Sequence, residues 1–364
     1  MPVGLIIMKW DARSGTQNIA KYPEDIKITE QTEMQIIAAH EYSSEVGIIN
    51  LMAGAFNILS YYTGPNTTLY INLLLNLDDD PDIYESGLID ASQIILQNIT
   101  DNVFIKMTPS LFQRISIYPK LSEEQLLAIT YLDEIKRIII KRLREEGVIS
   151  KSELEIWLKD TSKHMFVELD AVLNDLVKRD LIKSMSVKGI SSELIYFIND
   201  IIMSRVPAEK VIMGISESEV SKEISDQYIK ACTEFFQNYQ PSEEDNIKIL
   251  ESLSDYQIFL TLRLLRTSIV TKNDLNKLVK KGVEDLDKVL NQLLDKKMIR
   301  VFKDDKGIEH YALISDFYIE KLFPKYLLRT IKANYEDQSK SNLVLLEYLN
   351  ILEDVYYDLK SKKE

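Results

Sequence analysis

The sequence predicts an α+β chain. An N-terminal five-stranded sheet with helices comes first, then two copies of a unit of helices closed by a β-hairpin, then a helical tail. Three observations carry this. Five β-rich segments fall within residues 3–77 of a 364-residue chain. The stretch Leu169–Lys183, LDAVLNDLVKRDLIK, returns as Leu286–Arg300, LDKVLNQLLDKKMIR. Finally, residues 340–359 carry Leu343, Leu346, Leu349, Ile351, Leu352, Val355 and Tyr356, a broad apolar stripe at helical spacing.

Taken in order, residues 3–10 (VGLIIMKW) read as a strand that ends at Asp11-Ala12-Arg13-Ser14-Gly15, a turn in which Gly15 supplies a positive φ. Residues 16–22 give a second strand, closed by Tyr22-Pro23. Thr29 is placed to cap a helix with Glu30 and Glu33 in its first turn. Strands 46–52, 55–62 and 67–77 follow, the last two around the turn Thr63-Gly64-Pro65-Asn66. Asp78-Asp79-Asp80-Pro81-Asp82 breaks the pattern and starts a helix, and a further helix covers 108–117. With its helices over one side, such a sheet would leave its other face or its edges for a partner.

Residues 122–146 read as one helix that ends at Gly147, and Ser150 with Glu153 forms a capping box for the next. A third helix covers 164–179, followed by strands 181–186 and 193–198. The second copy repeats these parts: helices 243–266, 272–280 and 283–297, then strands 298–303 and 308–314 around Asp304-Asp305-Lys306-Gly307. The upstream match pairs Ile149–Leu154 with Val270–Leu275 and Ser122-Glu123-Glu124 with Ser242-Glu243-Glu244. Between the copies, 217–239 is a helix. The predicted division is 1–118, 119–207, 208–241 (a linker helix), 242–323 and 324–364 (the tail).

Three helices and a β-hairpin, present twice, resemble the winged-helix superfamily. The β-β-α-β-β-β-α-α order of the first part, with its opening hairpin from Trp10-Asp11 to Gly15, resembles the longin fold of vesicle-trafficking proteins. Tandem winged helices also look like the subunits of the ESCRT-II membrane-remodelling complex. The longin-like domain and the helical tail depart from that pattern. These resemblances imply protein partners among small GTPases, longin or roadblock domains and trafficking machinery, and membrane association only through them.

Chemistry is sparse. No P-loop, GxGxxG or GxSxG occurs. His40, His164 and His310 lack metal-ligand spacing, and no cofactor or metal is expected. The run Asp78–Asp82 lacks the alternating ligands of a calcium loop. The lone Cys232 lies among Tyr228, Ile229, Ala231, Phe235 and Phe236 and reads as a packed core thiol. The net charge of −13 argues against polyanion binding. A DNA-reading third helix needs cations near its start. The first copy presents His164, Glu168, Asp170, Asn174 and Asp175 there, and the second presents Glu284, Asp285, Asp287, Lys288, Asn291 and Gln292. A locally basic stretch, Lys136, Arg137, Lys141, Arg142, Arg144, Lys151, Lys159 and Lys163, is the one candidate phosphate-binding patch.

The expectation is a cytosolic, non-catalytic interaction scaffold, able to form a homodimer. Trp10, Asp11 and Arg13 are its candidate partner-binding residues, because an aromatic flanked by an acid and a guanidinium suits an interface centre. The rival is a ligand-sensing winged-helix transcription regulator, disfavoured by the third-helix charges.

Overall fold

A strand with one wet face alternates apolar and polar residues, whereas an unbroken apolar run is buried on both faces. Leu5-Ile6-Ile7-Met8 is such a run, Leu69–Leu75 is one but for Asn72, and every residue in both is buried. The computed structural model describes residues 1–361 except 12, 14, 44–46, 100–102, 162–168 and 216–220. It groups the chain into two compact units, residues 1–121 with 159–175, and residues 122–158 with 176–364.

The first unit comprises β1 (Gly4–Asp11), β2 (Gly15–Tyr22), α1 (Glu30–Ser43), β3 (Gly47–Ala53), β4 (Phe56–Tyr62), β5 (Leu69–Leu75), α2 (Asp82–Gln97) and α3 (Val103–Ile117). The sheet order is β2-β1-β5-β4-β3, antiparallel throughout. Leu5, Ile7, Leu73 and Leu75 pack with Leu88 and Ile95 of α2 and Leu111 and Ile115 of α3. Ile6, Met8, Tyr70 and Leu74 pack with Ile36 and Ile37 of α1. Helices therefore cover both faces, not one. The continuous apolar runs require this, since either face left bare would expose isoleucines and leucines to water. What remains open is an edge: β3 pairs with β4 alone, and its Met52 is 71% exposed. Thr29 accepts from the Thr32 N–H at the start of α1. α3 begins at Val103, five residues before the expected start at 108, and carries Pro109 inside it.

The repeat makes up the second unit, except that its residues 159–175 group with the first unit. Its first copy runs α4 (Glu123–Leu132), α5 (Glu134–Glu146), β6 (Val148–Ser150), α6 (Lys151–Thr161), α7 (Leu169–Lys178), β7 (Ile182–Met185), β8 (Leu194–Phe197), β9 (Asp200–Val206), α8 (Glu209–Gly214) and α9 (Lys222–Asn238). Its second runs α10 (Glu243–Ser254), α11 (Tyr256–Leu265), β10 (Val270–Thr271), α12 (Lys272–Asn276), α13 (Leu286–Asp295), β11 (Ile299–Lys303), β12 (Glu309–Leu313), β13 (Asp316–Leu322), α14 (Leu327–Glu336) and α15 (Asn342–Ser361). In each copy the short strand joins the hairpin, in the orders β6-β8-β7 and β10-β12-β11.

The structure corrects two readings of the repeat. The stretches 122–146 and 243–266 are each two helices. Asp133 and Asp255 take extended backbone and cap the second helix, Asp133 accepting from the Lys136 N–H and Asp255 from those of Gln257 and Ile258. A helix periodicity cannot show a break that lies on the same face before and after it. In addition, a third strand follows each hairpin. β9 and β13 pair with each other, antiparallel, with Met203 opposite Ile319. No helix among the described residues is long and apolar enough to cross a membrane.

Candidate interaction surfaces

The β9–β13 ribbon joins the two copies about a pseudo-twofold axis, and its side chains repeat across that axis. Arg144 Nε donates to Asp200 at 2.8 Å and its Nη2 to the Ile201 carbonyl at 2.7 Å. The equivalent Arg266 Nε donates to Asp316 at 2.8 Å and its Nη2 to the Phe317 carbonyl at 3.1 Å. Arg266 also grips Glu124 with two bonds, at 2.8 and 2.6 Å. Burial works against the Arg266 charge, but the Glu124 and Asp316 carboxylates outweigh it and raise its pKa.

Further along the ribbon, Arg205 and Lys321 each reach the other copy's turn between third helix and hairpin. Arg205 donates to the Lys296 carbonyl and Lys321 to the Arg179 carbonyl. The two turns match, with Asp180 at φ 55° and Lys297 at φ 54°.

The pseudosymmetry extends to the helices expected as linker and tail. Tyr228 on α9 donates to the Leu313 carbonyl of the second hairpin at 2.9 Å. Tyr348 on α15 donates to the Phe197 carbonyl of the first at 2.6 Å. Each copy therefore ends in a helix that packs on the other copy's hairpin, and both tyrosines are 0% exposed. The sequence held the signal, because Ser221 and Tyr228 recur at the same spacing as Ser341 and Tyr348. Two identities alone do not mark a repeat. Cys232 lies on the buried face of α9, and burial pushes its thiol up.

The two helices differ on their outward faces. On α15, Leu343, Leu346 and Tyr357 are 60%, 59% and 59% exposed. The equivalent positions on α9 hold Glu223, Asp226 and Gln237, all exposed.

Six of the eight cations of the candidate phosphate patch are engaged internally. Lys136 is buried and pairs with Asp133, Lys141 pairs with Glu243, Arg142 with Glu146 and Glu153, Arg144 with Asp200, and Lys151 with Glu193. Arg137 donates to the Tyr131 and Leu132 carbonyls. On the second copy's third helix, α13, Asp287 pairs with Lys272 at 2.8 Å, and on the hairpin Lys303 pairs with Glu309 at 3.4 Å. The N-cap of α13 is Asp285, which accepts from the Lys288 N–H. α7 exposes Asp170, Asn174 and Lys178, while His164, Glu168 and Lys163 lie outside the described residues.

A cleft of about 710 Å³ opens between α9 and the α13–β11 segment, lined in part by Arg205, Phe235, Tyr239 and Asp245. Its guanidinium is already engaged, by Asp245 with two bonds, by Ser315 and by two backbone carbonyls. The cleft thus packs an arginine and leaves it no donor for a ligand.

Of the predicted turn residues, Trp10 is half-buried against the α1-side core. Asp11 and Arg13 are exposed, and the Arg13 N–H donates to Asp11 Oδ1 at 2.8 Å. The structure brings these two together at the tip and sets Trp10 behind them. In the acidic run, Asp80 accepts from the Asp82 N–H at the start of α2 and Asp79 binds the Met1 amine. No group of three or more potential metal ligands occurs among the described residues.

Compared with known proteins, the chain matches no family, no curated protein and no solved structure.

Proposed function

We propose that the protein is a cytosolic, non-catalytic adaptor made of a longin-like domain and a pseudodimer of winged helices, working with small GTPases or ESCRT-like trafficking partners. The strand order β2-β1-β5-β4-β3, with one helix on one face and two on the other, supports the longin resemblance. In each copy the helices, the short strand and the hairpin support the winged-helix one. The observation that carries the adaptor reading over the regulator is electrostatic. Two of the cations that would meet phosphates are already paired with carboxylates, Lys272 with Asp287 and Lys303 with Glu309. Each such carboxylate would stand beside a phosphate and repel it. Meanwhile the open β3 edge, the Asp11–Arg13 tip and the outer face of α15 offer surface suited to protein.

Fluorescence anisotropy with random and genomic duplexes tests this. The expected result is salt-sensitive binding no tighter than about 10⁻⁵ M. A sequence-selective complex that survives physiological salt would favour the regulator. In-cell crosslinking of the full chain is expected to recover proteins rather than DNA.

A further inference from the structure

We infer that the outward face of α15 is a docking site for a basic amphipathic helix of another protein. The chain supplies its own control. α9 and α15 occupy equivalent places, each anchored by a buried tyrosine to a hairpin carbonyl. The fold therefore does not require apolar residues at three of the outward positions of this helix, because α9 is polar at all three. It carries Glu223, Asp226 and Gln237 where α15 carries Leu343, Leu346 and Tyr357. Leu349, 41% exposed, continues the stripe, although α9 carries the equally exposed Ile229 at that position, so the contrast rests on Leu343, Leu346 and Tyr357. From Leu343 to Tyr357 the stripe runs roughly 21 Å at helical rise, about four turns of a partner helix laid alongside.

The charges choose the occupant. Glu353 interrupts the stripe, and Asp354 and Asp358 line one edge together with the half-buried Glu347. None of these four carboxylates has an ion-pair partner among the described residues, and Lys360 is the one cation on the described part of the helix. A partner with leucine-like side chains at i, i+3 and i+4 and a rim of Lys or Arg would bury the apolar groups and neutralise the acids. A second copy paired antiparallel would bring the same acidic edge against itself. An anionic membrane would be repelled, since a surface-lying helix carries a cationic rim.

This inference rests on the adaptor reading and specifies one of its surfaces. The test uses the full chain and a fluorescein-labelled 18-residue peptide with leucines at heptad a and d positions and lysines elsewhere, against the same peptide with glutamates. The wild type is expected to bind the lysine peptide at least tenfold more tightly, with affinity falling as salt rises. Leu346→Glu and Tyr357→Glu should each weaken binding about tenfold while circular dichroism and melting stay unchanged. Glu223→Lys with Asp226→Lys on α9 should have little effect. Equal loss from the α9 variant, or no loss from the α15 variants, would overturn the site. A wild-type dimer in light scattering that Leu346→Glu converts to monomer would overturn the occupant. If the peptide fails while in-cell crosslinks to proteins persist, the adaptor reading stands without this surface.

Discussion

Gly147 ends α5 at φ 74°, a backbone that costs any other residue about 1–2 kcal/mol. A Cβ there would also stand 2.9 Å from the Tyr348 ring. Gly147→Ala is therefore expected to destabilise by about 1–3 kcal/mol and to loosen α15. Gly189→Ala separates the two effects, since Gly189 has φ +91° and nothing within 4 Å of its would-be Cβ. The first variant should expose α15 to limited proteolysis and the second should not. Equal protection of α15 in both would remove Gly147 as its seat. His40 offers a second residue-scale check. It is buried, bonded to Ser60 at 2.9 Å and flanked by Tyr62 and Tyr70, and burial lowers its pKa to about 4. The unfolded chain takes up this proton near pH 6.5. Between the two values the unfolded state binds more protons, so this group makes stability rise with pH, by at most about 1.4 kcal/mol per pH unit. Urea melts of His40→Gln are expected to show a shallower loss of stability than the wild type as pH falls through that window. Parallel profiles would mean that His40 is not held neutral.

At the scale of elements, legibility followed how local the cause was. The caps at Thr29 and Ser150 and the two hairpins depend on neighbours in sequence, and they stand where the residues put them. The two-sided burial of the sheet was also written in Leu5–Met8 and Leu69–Leu75. Element order alone does not say which face of a sheet each helix covers. The helix breaks at Asp133 and Asp255 were hidden by apolar residues continuing in phase on either side, although an aspartate followed by a helical run is itself a cap signal. β9 and β13 were out of reach for a different reason. Their partner strand lies a full repeat away, and short sequences such as DIIMSRV and DFYIEKL say nothing of what they pair with. Of the candidate surfaces, the stripe on α15 was visible as periodicity. Which of its residues face the hairpin and which face outward needed the packing of Tyr348.

At the scale of the whole second unit, ion pairs cross between the two copies and are arranged so that each copy completes the other. Arg266 is the clearest case. It belongs to the second copy, holds Asp316 at the foot of that copy's own ribbon strand, and takes Glu124 from the first. All three side chains are about a fifth exposed, at 20%, 21% and 18%. Removing the guanidinium would leave two half-desolvated carboxylates facing each other. Taking one partner out of a buried pair costs about 3–5 kcal/mol, and partial exposure here reduces that to about 2–3 kcal/mol. Arg266→Met is expected to lower stability by that amount in chemical denaturation. A triple change, Arg266→Met with Glu124→Gln and Asp316→Asn, should recover part of the loss, because no uncompensated charge then remains. Arg266 also donates to the Phe317 carbonyl, which loses that donor in the triple variant, so the recovery stays incomplete. If the single variant is as stable as the wild type, the clamp is incidental, and the copies are joined by the apolar face of the ribbon, Ile201, Phe317 and Ile319, alone.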